Sequence, residues 1–115
     1  MVIVQYKIKK KLSKVNNILS EYVDVVKKTE SGTIEYKVFQ DKDDDSLLIH
    51  LISFANKDAK KAHEKSEHLK KLKKILIPLS KGKAVYTTMT EINLTKSLQK
   101  ANETTKDVIP SHTPI

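Results

Sequence analysis

The sequence contains no cysteine and no tryptophan, and it has only two glycines and three prolines. Without cysteine the chain cannot hold a disulfide framework, a thiolate metal site or a cysteine nucleophile. Two glycines leave no glycine-rich loop for a phosphate, and the Gly-x-Ser-x-Gly motif of serine hydrolases is also missing. These absences remove the commonest nucleotide-dependent and nucleophilic enzyme classes.

The chain also lacks long apolar runs, since none approaches the ~18 residues of a membrane-spanning helix. Its N-terminus alternates apolar and polar residues and places its lysines after them, which is the reverse of a secretory signal. We therefore expect a cytoplasmic protein that has no membrane partner.

Charge of one sign dominates, with 22 basic residues against 14 acidic ones and a net charge of +8. Nucleic-acid binding is not expected, because the basic residues are lysines spread along the chain without the arginine and aromatic pattern that reads or stacks on bases. A solvated lysine surface is the simpler interpretation. The alternative is a surface for an anionic partner on the second helix, formed by Lys60, Lys61, Lys65, Lys70, Lys71, Lys73 and Lys74.

At 115 residues the chain has room for one domain. Residues 2–9 alternate with a period of two and predict a strand. From Ser13, a plausible N-cap, apolar residues recur every three or four positions and predict a helix to about Glu30. Residues 33–40 and 47–54 predict two strands joined in a hairpin by an acidic turn.

A second helix is predicted from its cap Asn56 to Pro78, followed by a fourth strand over residues 84–93. The order β-α-β-β-α-β predicts an α+β, ferredoxin-like fold with an antiparallel sheet and both helices on one face. We assign residues 1–94 to this domain and residues 95–115 to a C-terminal tail that is flexible or draped on a partner subunit.

Two helices cover only one face of a four-stranded sheet. The other face would expose apolar side chains in a monomer, and an exposed patch of that size marks an interface. We expect a homodimer in which two sheets pack face to face. The positions assigned to this open face are Val4, Tyr6, Val38 and Ile49.

Two motifs carry a family resemblance. Residues 30–36 (ESGTIEY) resemble a Glu-Pro-Gly-x-x-x-Tyr join, with Ser31 in place of the usual proline. Phe54-Ala55-Asn56, then Ala59 and residues 63–68 (HEKSEH), resemble a third strand followed by an Ala-x-x-x-His-x-x-Ser-x-His helix. Both are typical of the antibiotic biosynthesis monooxygenases, in the quinol monooxygenase branch of the dimeric α/β-barrel superfamily. The lack of tryptophan argues against the haem-degrading branch.

This resemblance implies oxygenation of a small, electron-rich aromatic, such as a hydroquinone or an anthrone, by O₂ without metal, flavin or other cofactor. The chemistry needs a base for a phenolic proton and a dry pocket, and histidine suits the first role. His63, on the apolar stripe of the second helix, is the catalytic candidate. The substrate-binding candidates are His50, Phe54, Tyr36, His68 and Tyr86.

Simpler roles remain open for these side chains, as buried structural histidines and as packing tyrosines. His63 and His68 are five residues apart, about 140° around one helix, so they are not expected to share a metal ion. Ile52 and Phe54 stand where the family often has Glu and Trp. Their presence favours the alternative function, a non-catalytic dimeric α/β-barrel protein that binds a small ligand or acts in a stress response.

Overall fold

The computed structural model describes residues 1–94, and the predicted tail lies outside this range. Its elements follow one another as β1 (Val2–Ile8), α1 (Leu12–Thr29), β2 (Thr33–Gln40), β3 (Leu47–Phe54), α2 (Lys57–Glu64), α3 (Glu67–Leu79) and β4 (Ser80–Thr88). The strands form one open sheet in the order β2-β3-β1-β4, and every neighbouring pair is antiparallel. The predicted ferredoxin-like α+β fold is confirmed. None of the helices within residues 1–94 is long and apolar enough to cross a membrane.

The strand register defines which side chains face the helices. Val38, His50, Val4 and Tyr86 are directly opposite one another on the four strands and form one row across the sheet. Two residues along, Tyr6 lies opposite Leu48, and both belong to the core that packs on α1 and α3. The buried residues of the helices that complete this core are Val15, Leu19, Tyr22, Val26, Leu72, Leu76 and Leu79.

The expected assignment of Val4, Tyr6 and Val38 to the open face of the sheet is therefore wrong; they face the helices. The open face carries the alternate residues, among them Ile3, Phe39, Ile49, Leu51 and Val85, which pair with one another or with Gln5 across the sheet. Of the four predicted positions only Ile49 lies there. Both faces of these strands are apolar, so the period of two could not indicate which face the helices cover.

The second predicted helix is two helices. α2 ends at Glu64 and α3 begins at Glu67, and each has its own N-cap. Asn56 Oδ1 accepts a hydrogen bond from the Ala59 N–H (2.8 Å), and Ser66 Oγ accepts one from the Leu69 N–H (3.3 Å). This break turns the chain between His63 and His68, and it shapes the candidate site.

Other observed boundaries of helices and strands also differ from the predicted ones. α1 begins at Leu12, preceded by Lys11 in the left-handed conformation (φ 60°), so Ser13 is not its cap. α3 extends past Pro78 to Leu79, and β4 begins at once with Ser80 rather than at residue 84.

Candidate functional site

A cavity of about 600 Å³ lies between the helix-facing side of the sheet and α2 and α3. Its wall is mostly apolar, with side chains from every strand and from both helices. The polar groups that matter for chemistry are the imidazoles of His50 and His63 and the hydroxyls of Tyr6 and Tyr36. The principal apolar side chains are Val2, Val4, Ile52, Phe54, Leu72 and Leu76.

His50, on the central strand β3, is buried between two tyrosines. Its Nε2 lies 2.7 Å from Tyr6 Oη, and its Nδ1 lies 2.7 Å from Tyr36 Oη. Burial, with a smaller contribution from the charge of His63, lowers the pKa of His50 to about 4, so the ring is neutral at pH 7. A neutral imidazole has one N–H and one accepting nitrogen, so it donates to one tyrosine and accepts from the other. Neither nitrogen is left for a substrate.

His63, on α2, is paired with a carboxylate that sequence reasoning gave no role. The Nδ1–H of His63 donates to Glu30 Oε1 at 2.7 Å, and Thr33 Oγ1 donates to the same oxygen at 2.6 Å. His68 Nε2 donates to the other oxygen, Oε2. Burial alone would raise the pKa of Glu30, but the hydrogen bonds from Thr33, His68 and His63 outweigh it and hold the pKa below its usual range.

The close approach of β2 to α2 brings Glu30 to this position. A Cβ placed on Gly32 would lie only 2.5 Å from the Cβ of Ala59, so the absence of a side chain at residue 32 lets the start of β2 pack directly against α2. Glu30, two residues earlier at the end of α1, thereby reaches His63. The glycine and the glutamate of the motif at residues 30–36 therefore have a structural explanation in this contact.

The expectation that His63 and His68 face different directions is wrong in this structure. The 140° separation holds only for one continuous helix, and the break at Lys65 and Ser66 brings both imidazoles to Glu30. The sequence did hold a signal for the break, since Ser66 followed by Glu67 is typical of a helix N-terminus.

Within residues 1–94, Glu30, His63 and His68 are the group whose ligand atoms, all within 4.8 Å of one another, could hold a metal ion. Imidazole and carboxylate are both zinc ligands. Here, however, each imidazole N–H points directly at a carboxylate oxygen, and these hydrogen bonds satisfy the carboxylate without an ion.

Tyr22 of α1 connects the two histidine clusters. Its hydroxyl lies 3.4 Å from His63 Nε2, and its ring packs edge-on against that of Tyr36, with 5.5 Å between the centroids. Burial raises the pKa of Tyr22 to about 12, although the neighbouring Tyr36 opposes this shift. Burial likewise raises the pKa of Tyr6 and of Tyr36, so all three hydroxyls keep their protons at neutral pH. Tyr22 was missed because its place on the apolar stripe of α1 indicated only packing.

The remaining predicted residues divide into two groups. Phe54 lines the cavity with its ring 5.4 Å from that of His63, and Tyr86 lines the open side of the cavity with 59% of its surface exposed. His68 does not line the cavity; it lies behind His63, partly exposed, against Glu30 and Tyr22.

Solved structures share this fold at low sequence identity. A candidate antibiotic biosynthesis monooxygenase from Bacteroides thetaiotaomicron superposes with a TM-score of 0.73 and 21% identity, over 79% of this chain and 87% of that one. A similar candidate from Nitrosomonas europaea gives 0.74 and 13%, over 80% and 88%. A variant of SnoaB, a cofactor-independent oxygenase from Streptomyces nogalater, gives 0.67 and 10%, over 80% and 93%.

No curated protein matches the chain significantly. The family model for antibiotic biosynthesis monooxygenases, in contrast, matches residues 1–74, which include β1 to β3, α2 and the Glu30, His50, His63 and His68 positions. This match spans more than half of the sequence, and the chain belongs to the antibiotic biosynthesis monooxygenase family.

Proposed function

We propose that the protein is a cofactor-independent monooxygenase that oxidises a small aromatic or quinol substrate with O₂. The observation that carries this proposal is a mostly apolar cavity, about 600 Å³ in volume, whose wall holds a histidine paired with a partly buried carboxylate. The volume suits a small aromatic molecule. The apolar wall would exclude water from a reactive intermediate.

His63 is the proposed base, and Glu30 its supporting group. Because Glu30 accepts the Nδ1–H, the nitrogen that can take a proton is Nε2. Once His63 is protonated, the adjacent carboxylate stabilises the imidazolium, which is how a buried acid supports a histidine base in hydrolases. The tyrosine hydroxyls supply hydrogen bonds for the substrate oxygen, and Phe54 supplies an apolar surface for its ring.

The reaction balances without an added reductant. For an anthrone-type substrate it is R₂CH₂ + O₂ → R₂C=O + H₂O. Loss of a proton gives an electron-rich oxyanion, which passes one electron to O₂, and recombination at carbon forms a peroxide. The O–O bond then breaks as the second hydrogen leaves carbon, so one oxygen atom stays in the product and the other leaves as water.

The comparisons support this proposal at the level of the family. The matching family model describes monooxygenases, and a protein of the same fold is a cofactor-independent oxygenase.

Oxygen uptake by protein dialysed against EDTA, with a panel of hydroquinones and anthrones, tests the proposal. We expect saturable uptake that falls by about 100-fold or more in His63→Ala, since general bases typically contribute 10²–10⁴. Lys61→Ala, which alters an exposed side chain on the same helix, is the matched control and should keep the wild-type rate. Uptake no faster than in buffer, with every substrate, would refute the proposed activity.

A second candidate is non-catalytic binding of a small apolar ligand. It is favoured by Ile52 and Phe54, which both line the cavity with hydrocarbon where the family often has Glu and Trp. Calorimetric binding of a hydroquinone without oxygen uptake would identify this function.

We also propose a homodimer through the open face of the sheet. The family is typically dimeric, and this face exposes large apolar side chains, including Phe39 at 49% and Val85 at 60%. Exposed apolar surface of this kind usually marks an interface.

A further inference from the structure

We propose that the substrate is an aromatic acid, and that Lys73 and Lys83 bind its carboxylate at the mouth of the cavity. This inference rests on the proposed function for the aromatic part of the molecule and names the class of substrate that the site selects. It is carried by the position of the cavity mouth, by the charge of the two elements that flank it, and by two lysines that have no ion-pair partner in the described part of the chain.

The cavity opens between α3 and β4. On the side of β2 and β3 its wall is closed, since Tyr36, His50 and Ile52 are at most 5% exposed. On the other side, Ile77 of α3 and Tyr86 of β4 line the cavity with 69% and 59% of their surfaces exposed. A ligand therefore enters between α3 and β4, and the end of the ligand that stays near water lies there.

The two elements that flank this mouth are basic throughout. Residues 68–90, which include most of α3 and all of β4, contain six lysines and no aspartate or glutamate. This segment thus contributes +6 to the net charge of +8 of the whole chain. The excess of positive charge is concentrated beside the mouth rather than spread evenly along the chain.

Two of the six lysines line the cavity, Lys73 on α3 and Lys83 on β4. Lys83 lies in an irregular part of its strand. Over residues 5–7 β1 advances by two residues, while the paired part of β4, residues 81–85, advances by four. Gly82 has a positive φ of 76° within this bulge. A bulge interrupts the alternation of a strand and can re-aim a side chain, which explains how Lys83 comes to line the cavity.

Within residues 1–94, neither Lys73 nor Lys83 forms an ion pair, whereas Lys70, three residues before Lys73 on α3, pairs with Glu67. The one acidic side chain among the described residues that line the cavity is Glu64. With neutral histidines the lining therefore has a net charge of +1. Charge of one sign beside a wall of low dielectric constant raises the local concentration of oppositely charged ligands.

The same features determine how the molecule lies in the cavity. The apolar interior cannot solvate a carboxylate, so burial of this group beside Phe54 or Ile52 would be costly. At the mouth the carboxylate keeps contact with water and gains two ammonium groups. The aromatic ring then occupies the interior near His63, and the acid group points outward between Lys73 and Lys83.

Anaerobic calorimetry on the full-length protein tests this inference, because without O₂ the ligand stays unreacted. The two probes are 2,5-dihydroxybenzoate and 2,5-dihydroxybenzamide, which have similar shapes and differ in charge. At low ionic strength we expect the benzoate to bind about tenfold more tightly than the benzamide. This preference should shrink as NaCl is raised to about 0.5 M, since salt screens exposed charges.

A pair of double variants assigns the preference to particular lysines. Lys73→Gln with Lys83→Gln removes both ammonium groups from the cavity lining and should weaken benzoate binding by about tenfold, with little effect on the benzamide. Lys71→Gln with Lys74→Gln removes the same charge from exposed positions of α3 that do not line the cavity. This matched control should retain the preference.

Equal affinities of the wild type for the two probes, or binding of neither, would overturn the inference. So would a preference that survives in the Lys73→Gln, Lys83→Gln variant. Failure of the proposed function gives a different result. Preferential binding of the benzoate without oxygen uptake would refute the monooxygenase and leave the anion site standing, whereas oxygen uptake with no preference for the acid would do the reverse.

Discussion

The two buried histidines use their ring nitrogens differently, and this difference separates a structural from a chemical role. His50 has a tyrosine hydroxyl on each nitrogen, so a proton added to it would make the donating hydroxyl turn its O–H away and would leave a buried positive charge with no carboxylate on either nitrogen. His63 has a carboxylate on Nδ1, so a proton added at Nε2 creates an ion pair. A neutral ring suits the first environment, and a ring that gains and loses a proton suits the second.

The stability of the fold should therefore fall in mild acid. Burial lowers the pKa of His50 from 6.5 to about 4 in the folded chain, so between these values the unfolded state binds more protons. The contribution of His50 to the free energy of unfolding is fully present above pH 6.5 and is lost as the pH falls towards 4. The total loss is on the order of 3 kcal/mol. Glu30, whose pKa is also lowered, changes stability in the same direction. Urea unfolding measured at intervals from pH 7.5 to 4 gives the curve.

His50→Gln is the control for this pH dependence, because glutamine keeps one donor and one acceptor but does not titrate. The variant is expected to be less stable at pH 7.5 and to lose less stability on acidification than the wild type. Parallel curves for the two proteins would mean that His50 is not the responsible group.

At the level of single residues, the sequence predicted which side chains line the cavity more reliably than it predicted the partners that those side chains contact. His63, Phe54 and Tyr36 were placed by period and by motif, and the structure puts all three at the cavity wall. Glu30 belongs to a motif and Tyr22 to an apolar stripe, but neither pattern indicates a partner for the side chain, because their partners are 33 and 41 residues away in the chain. Contacts of that separation depend on how elements pack, which periodicity does not encode.

The elements themselves were predictable because their patterns are local. The alternation in β1 and the three- and four-residue spacing in α1 indicated the correct type of structure. The break between α2 and α3 was missed because apolar residues continue at helical spacing through Ser66, and only the cap marks the interruption. The consequence was large, since this break decides where His68 lies.

The contact between β2 and α2 is the element-scale feature that places Glu30, and it can be tested by a pair of substitutions. Gly32→Ala should destabilise the protein by about 1–3 kcal/mol, because the new Cβ would lie 2.5 Å from that of Ala59. Ala59→Gly alone should cost less than the ~1 kcal/mol of a helix-interior glycine, because Ala59 lies in the first turn of α2. Together the two changes should cost less than the sum, since the second removes the atom that the first strikes. Urea unfolding of all four proteins measures the coupling.

Additive effects of these two substitutions on the free energy of unfolding would show that the contact between Gly32 and Ala59 does not constrain the connection between α1 and β2. The oxygen-uptake rate of Gly32→Ala provides an independent reading. If the contact between Gly32 and Ala59 positions Glu30, the oxygen-uptake rate should fall in Gly32→Ala and recover in the double variant.

For the whole molecule, the structure divides the sheet into a face that carries the cavity and a face that carries none of the candidate residues. The open face combines Ile3, Ile49 and Leu51 at its centre with the more exposed Phe39 and Val85 towards its edges. A contiguous apolar face that the helices leave uncovered is typical of a surface that a partner covers. The sequence predicted that such a face exists, while the register decided which residues form it.

Ile49→Lys should convert the proposed dimer into a monomer. Ile49 lies on a central strand and faces away from the helices, so a lysine there would bring two charges together near the symmetry axis of face-to-face sheets, without water to solvate them. Val25→Lys is the matched control, since Val25 is a partly exposed apolar residue of α1 on the other side of the sheet. By sedimentation equilibrium at micromolar concentration, the wild type and Val25→Lys should show twice the 13.1 kDa chain mass, and Ile49→Lys the single mass. A wild type of single mass would remove the dimer. A dimeric Ile49→Lys would move the interface elsewhere, and the apolar open face would then need a different partner.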